Sequence, residues 1–223
     1  VGQNTWSLAR TLSASSTLKV KVSDTAGNDG AVLSQAYTFD TSSPTITFNG
    51  LALSADTGSS ASDFITKTAA QTIGATLSTT LAAGDIVYGS LDNGATWTDI
   101  TSKVSGTSLS WDGVILAGSD TLQLKVVDAA GNTGSVKTQA YVFDTSTPAT
   151  PGTPVLATAS DTGVQNNDSI TSDTTPTLSG TAENGSTVTV FDGATLLGTV
   201  TAGAGGWTLS TGALAEGSHT ITV

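Results

Sequence analysis

Apolar and polar residues alternate along most of this chain. In Thr121–Val127, Leu122, Leu124 and Val126 share one face while Gln123 and Lys125 share the other, and Leu18, Val20 and Val22 repeat the pattern. A period of two is that of a half-buried β-strand. Read this way, the middle of the chain predicts seven short strands: Thr45–Leu53, Thr72–Leu77, Ile86–Ser90, Thr96–Ile100, Ser108–Trp111, Thr121–Val127 and Gln139–Phe143. Asn49-Gly50, Asn93-Gly94, Asp112-Gly113, Asn184-Gly185 and Asp192-Gly193 read as turn dipeptides between such runs. Trp97 and Trp111 are expected to fill the core.

The pattern also repeats. Thr17–Pro44 returns 104 residues later at Thr121–Pro148 with 18 of 28 positions identical. Asp56-Thr57-Gly58 with Asp63-Phe64-Ile65-Thr66 returns at Asp161-Thr162-Gly163 with Asp168-Ser169-Ile170-Thr171. A unit of about 104 residues is a tandem domain array, since solenoid repeats span roughly 20–50. Seven alternating strands per unit predict an all-β array of immunoglobulin-like seven-strand sandwiches. The expected organisation is the C-terminal part of one domain over 1–43, a complete domain over 44–147, and over 148–223 a domain lacking its last strand. In this register Val1 falls in a fifth strand and Val223 in a sixth, so the expectation is a window on a longer protein.

Composition narrows the chemistry. With no Cys, one His and two Glu, the chain has few groups for acid–base or nucleophilic work. A net charge of -11 repels phosphate backbones and anionic lipid, predicting no nucleic-acid partner, and no apolar run reaches the roughly 20 residues of a membrane span. Sixteen of the eighteen acids are Asp, the residue of turns and hard-cation sites rather than helix surfaces. Seventy Ser and Thr with 25 Gly strengthen the reading of strands and turns.

Two enzyme readings fail on the residues. The paired Asp-Thr-Gly motifs of an aspartic protease are matched by Asp56-Thr57-Gly58 and Asp161-Thr162-Gly163, but their separation equals the domain period and no apolar strand runs directly into either. A serine hydrolase would need His219 as its base, and Gly-Ser-His-Thr-Ile reads as the start of a strand.

Together, D-x-A-G-N-x-G, Y-x-F-D-T-S-x-P and D-T-G-x4-D-x-I-T resemble the bacterial Ig-like domains of giant repetitive adhesins secreted by Gram-negative type I systems. The likeness covers essentially the whole chain. Ser90–Trp97 fits one subtype, whereas Pro176–Gly193 and Gly206–Val223 look like another. The resemblance implies a stalk on the bacterial cell surface whose partners are neighbouring Ig-like domains of the same chain, with the adhesion target bound elsewhere in the parent protein. It also implies Ca2+ at the junctions. The positions carried over are Asp24, Asn28, Asp40, Asp56, Asp63, Asp128, Asn132, Asp144, Asp161 and Asp168.

Ca2+ needs six to eight oxygens, and strand topology predicts which loops converge. Asp56, Asp63 and Asp144 are expected at the junction with the third unit, facing Glu183-Asn184, and Asp40 is expected beside Asp128 and Asn132. The competing reading is turn chemistry. Asp24 and Asp128 precede Ala-Gly-Asn, and Asp40 and Asp144 precede Thr-Ser-x-Pro, where an Asx-turn would serve as well. Asp85, Asp92, Asp99, Asp112, Asp120 and Asp192 are read as solvated turn residues. The second linker, with Pro148, Pro151 and Pro154, is expected to be stiffer than the first, which holds Pro44 alone. A module that itself binds glycan or protein is the alternative function. The low aromatic content of 5% and the single arginine, Arg10, argue against it.

Overall fold

A computed structural model describes residues 5–223, so the expected fifth-strand position of Val1 lies outside the described residues. The chain forms two compact bodies: 1–145, which holds the hairpin of the first unit and the sandwich of the second, and 146–223, which holds the third unit.

The first body opens with the hairpin of the first unit, β1 (Ser16–Val20) and β2 (Leu33–Tyr37), paired antiparallel as a two-stranded sheet. A complete sandwich follows: β3 (Phe48–Leu53), β4 (Ile65–Thr66), β5 (Ala70–Leu77), β6 (Ile86–Ser90), β7 (Thr98–Asp99), β8 (Val104–Ser105), β9 (Ser108–Ile115), β10 (Asp120–Val127) and β11 (Lys137–Phe143). One sheet has the order β3-β5-β9-β8 and the other β4-β11-β10-β6-β7. Every pairing is antiparallel except that of β4 with β11.

This architecture follows from the alternation. Leu122, Leu124 and Val126 of β10 point inward with Ile73, Leu77, Val87, Leu109 and Trp111, forming one core between the sheets. Gly89 sits under Trp111, where a Cβ would lie 2.4 Å from the indole ring. The first expected strand divides in two: the chain leaves the first sheet after Leu53 and rejoins the other as β4, beside β11.

Two of the expected turns are bulges. Asn49-Gly50 lies within β3 and Asp112-Gly113 within β9, each at a register shift. Gly50 and Gly113 take φ of 59° and 73°, which supplies the extra residue of a bulge without reversing the chain. Trp97 is likewise not a core residue. It lies on the outer face of the five-stranded sheet, with Lys125 Nζ 3.9 Å from its ring centroid, because Lys125 belongs to the polar face of β10.

The third unit contains β12 (Val155–Leu156), β13 (Thr177–Gly180), β14 (Thr187–Asp192), β15 (Thr195–Thr201), β16 (Trp207–Ser210) and β17 (Ile221–Thr222). Its sheets have the orders β12-β13-β16 and β15-β14-β17. They enclose Leu178, Val188, Val190, Ala202 and Trp207. Among the described residues, no helix is long and apolar enough to cross a membrane, which has no bearing on a β-barrel.

Candidate functional site

Two loop types and the linkers hold the carried-over acids. The first is Asp-x-Ala-Gly-Asn. Asp128 Oδ1 accepts from Ala130 N–H and Asn132 N–H at 2.9 and 2.8 Å, and Oδ2 accepts from the Asn132 side-chain amide at 2.9 Å. Asp24 and Asn28 repeat these bonds at 2.8–2.9 Å. The Asn132 and Asn28 amides hold the carboxyls of Asp128 and Asp24 below the usual carboxylate range. A carboxylate with both oxygens so occupied closes its own turn, as the turn reading expects. Asn132 also donates to the Asp40 carbonyl at 3.2 Å, so the linker does meet this loop, through backbone. The Asp40 carboxylate closes an Asx-turn onto Ser42 N–H at 2.9 Å.

The second type is the long loop between β3 and β5, with its copy between β12 and β13. Asp56 Oδ2 accepts from Phe64 N–H at 2.9 Å, and Asp161 Oδ2 from Ser169 N–H at 3.1 Å. Both donating residues are non-glycine with positive φ, 63° and 60°. A side chain in the left-handed region is strained, and the aspartate bond eight residues away helps hold it there. Thr66 Oγ1 bonds the Ala55 carbonyl and Thr171 Oγ1 the Ser160 carbonyl, tying down the end of each loop. Asp63 and Asp168 cap the following turn, each accepting from the N–H two residues on at 3.0 Å. The repeated Asp-Thr-Gly motif therefore forms a loop lock, with each aspartate engaged in its own unit.

One feature is left over after this account. Asp56 Oδ1 and Asp161 Oδ1 are both buried without a hydrogen-bond partner. A buried carboxylate oxygen left unpaired costs on the order of 1–3 kcal/mol or more, and the same atom is orphaned in both copies. An oxygen of this kind fits a hard cation. The gathering of Asp56, Asp63 and Asp144 is a separate matter: among the described residues no three His, Asp or Glu side chains converge closely enough to hold a metal ion. Asp144 follows β11, and its N–H bonds the Thr66 carbonyl at 3.0 Å, which ties it to the end of the lock. Glu183 accepts from Ala149 N–H at 3.1 Å within the third unit.

Asp192 and Asp92, expected as solvated turn residues, have closer partners, and one of these contacts is a pair that sequence could not show. His219 Nδ1 lies 2.6 Å from Asp192 Oδ2, and Nε2 lies 2.9 Å from the Ala215 carbonyl. Both partners are acceptors, so the geometry is satisfied fully only by the imidazolium. The Ala215 carbonyl and then the Asp192 carboxylate push the His219 pKa up, and Asp192 is in turn held down by His219. Nε2, the nitrogen a serine hydrolase would turn to its nucleophile, faces the Ala215 carbonyl instead. The residues are 27 apart in sequence, so no local spacing signals the contact. Asp92 is also more than solvated. The Thr96 hydroxyl, then Thr96 N–H and the Ser90 hydroxyl, hold its pKa down to about 2.

Comparison with known families agrees with the fold. A family model described as a bacterial Ig-like domain matches residues 43–145 and again 147–223, and a second model of the same description matches 8–41. The second and third units thus fall under one model, whereas the sequence motifs had pointed to two subtypes. No curated protein matches the chain.

Proposed function

The chain belongs to the bacterial Ig-like domain family, and from that premise we propose that it is a spacer segment of a bacterial surface adhesin, stiffened by Ca2+ in the loops that carry Asp56 and Asp161. Domains of this family are modules of surface or extracellular proteins. The observation that carries the calcium reading is the recurrence of one orphaned buried carboxylate oxygen, Asp56 Oδ1 and Asp161 Oδ1, at the same place in both copies of the loop. Bound Ca2+ would supply positive charge to these oxygens. Asp63 and Asp144, at the other ends of the same loop system, are the next candidates to contribute. The chain's own residues do the rest: Thr66 and Thr171 fix the loop ends, and the prolines of 147–155 keep the second linker extended.

Extracellular modules bind Ca2+ at roughly 10⁻⁴–10⁻³ M, so such sites would fill outside the cell and stay empty in a submicromolar cytosol. At ten times the dissociation constant each site adds about 1.4 kcal/mol by mass action. The test is calorimetric titration of the whole chain with Ca2+, alongside Asp56→Ala and Asp161→Ala. Loss of one binding event in each variant and of both in the double variant supports the reading. An unchanged isotherm in the double variant leaves these aspartates as loop locks only. Scattering with and without chelator tests stiffening: equal extension in both conditions rules it out.

A further inference from the structure

The two linkers are fixed to the sandwiches that follow them by different bonds. In the second linker Ala149 N–H donates to the Glu183 carboxylate at 3.1 Å and Gly152 N–H to the Thr181 carbonyl at 2.9 Å. The chain before it is anchored on the second sandwich at Asp144, whose N–H bonds the Thr66 carbonyl, and residues 145–148 run between the two anchors. In the first linker the anchors are consecutive residues. Phe39 N–H bonds Ser15 Oγ at 2.9 Å within the first unit, and the Asp40 carbonyl accepts from the Asn132 side-chain amide of the second unit at 3.2 Å. A residue has only two soft backbone dihedrals, so the first junction can turn only about those of Phe39 and Asp40 while both bonds hold.

The loop that grips the first linker is built in advance. Asp128 Oδ1 takes Asn132 N–H, and Oδ2 takes one hydrogen of the Asn132 amide, which leaves the other for the Asp40 carbonyl. Two residues on, Gly134 N–H bonds the Val126 carbonyl at 2.9 Å, and a Cβ on Gly134 would lie 2.7 Å from the Pro44 carbonyl oxygen and 3.4 Å from Pro44 Cβ. Gly134 is not in the left-handed region, so what excludes a side chain there is the approach of Pro44. The gripped segment is itself stiff. Asp40 closes its Asx-turn onto Ser42 N–H, Pro44 fixes its own φ and keeps Ser43 extended, and Ile46 is buried in the core.

We infer that Asn132 and Gly134 clasp the first linker at its two ends, Asp40 and Pro44, and hold the β1–β2 hairpin at one angle to the second sandwich without a cation. Both partners of the Asn132 bond to the linker are neutral, so the clasp needs no bound ion. It is separate from the calcium reading, which concerns the loops of Asp56 and Asp161. Asp128 is a positioning residue in this arrangement, acting through Asn132. Stiffness at this junction then follows from the seat under the linker and not from its proline content.

Paired spin labels test this in the full chain, which has no cysteine of its own. Ser34→Cys in β2 and Ser110→Cys in β9, both exposed, carry the nitroxides, and double electron–electron resonance in chelator reads the distance distribution between them. The expected result is a single narrow distribution. Asn132→Ala deletes the donor and Gly134→Ala pushes Pro44 off its seat, and each should broaden the distribution. Asn28→Ala removes the matching amide from the first unit's own loop, where it bonds Asp24, and should leave the width unchanged. Thermal melts matching the parent chain establish that the variants fold. A broad distribution in the unsubstituted background, a narrow one that survives both Asn132→Ala and Gly134→Ala, or equal broadening by Asn28→Ala would overturn the inference.

Discussion

The second and third sandwiches lock the same loop with the same bonds around very different cores. Asp56 and Asp161 each hold a residue in the left-handed region, and Thr66 and Thr171 close each loop on the carbonyl preceding the aspartate. Seventeen buried apolar residues then fill the second sandwich and five the third. A local motif can thus be copied whole while the burial that stabilises it is not. Stability follows the burial, since each fully buried large side chain contributes about 1.5–3 kcal/mol.

Removing each core tryptophan should separate the two most. Trp111→Ala and Trp207→Ala each lose about 3–5 kcal/mol. In the larger core this lowers the melting temperature, and in the smaller one it unfolds the third unit outright. Calorimetry should show a shifted transition in the first case and a missing one in the second. Two surviving transitions in both variants would break the comparison.

The strained residue of each lock sharpens it further. Phe64 is buried and Ser169 exposed. Glycine relieves left-handed strain at both, but Phe64→Gly also empties a core position and should cost about 3 kcal/mol net. Ser169→Gly should gain about 0.5 kcal/mol, the relieved strain exceeding the added freedom of the unfolded chain. Denaturant midpoints moving in the same direction would show that the loops are not equivalent.

A smaller effect belongs to the second sandwich alone. Lys125→Met keeps the stem of the side chain and removes its charge from the Trp97 face, at a cost of about 0.5–1 kcal/mol, with a change in Trp97 fluorescence.

The smallest effect is in pH dependence and distinguishes the units by sign. The raised pKa of His219 stabilises the third unit fully below the ordinary value of 6.5, and this contribution fades as pH rises through the raised value. Asp192 and Asp92 are both lowered, so their contributions hold above 3.8 and are lost in acid, for Asp92 as pH falls through about 2. Between pH 6 and 8 the third unit's transition should fall slightly while that of the second unit, which has no histidine, stays fixed. His219→Gln should abolish the difference.

The alternation of Leu122, Leu124 and Val126 determines a strand and its buried face, and the 104-residue repeat determines that one sandwich follows another. Those properties are local or copied, so they can be read along the chain. The Asp-x-Ala-Gly-Asn loops are legible for the same reason, since their bonds join atoms two and four residues apart. Other features depend on which strands become neighbours. Asn49-Gly50 and Asp112-Gly113 have turn sequences but lie in bulges, because flanking residues found partners on both sides. Trp97 has the composition of a core residue and lies outside, because β10 turns Lys125 toward it. The orphaned oxygens of Asp56 and Asp161 and the doubly bonded His219 exist only once the sheets have closed. Burial and long-range pairing are properties of the assembled sandwich, and no spacing along the chain encodes them.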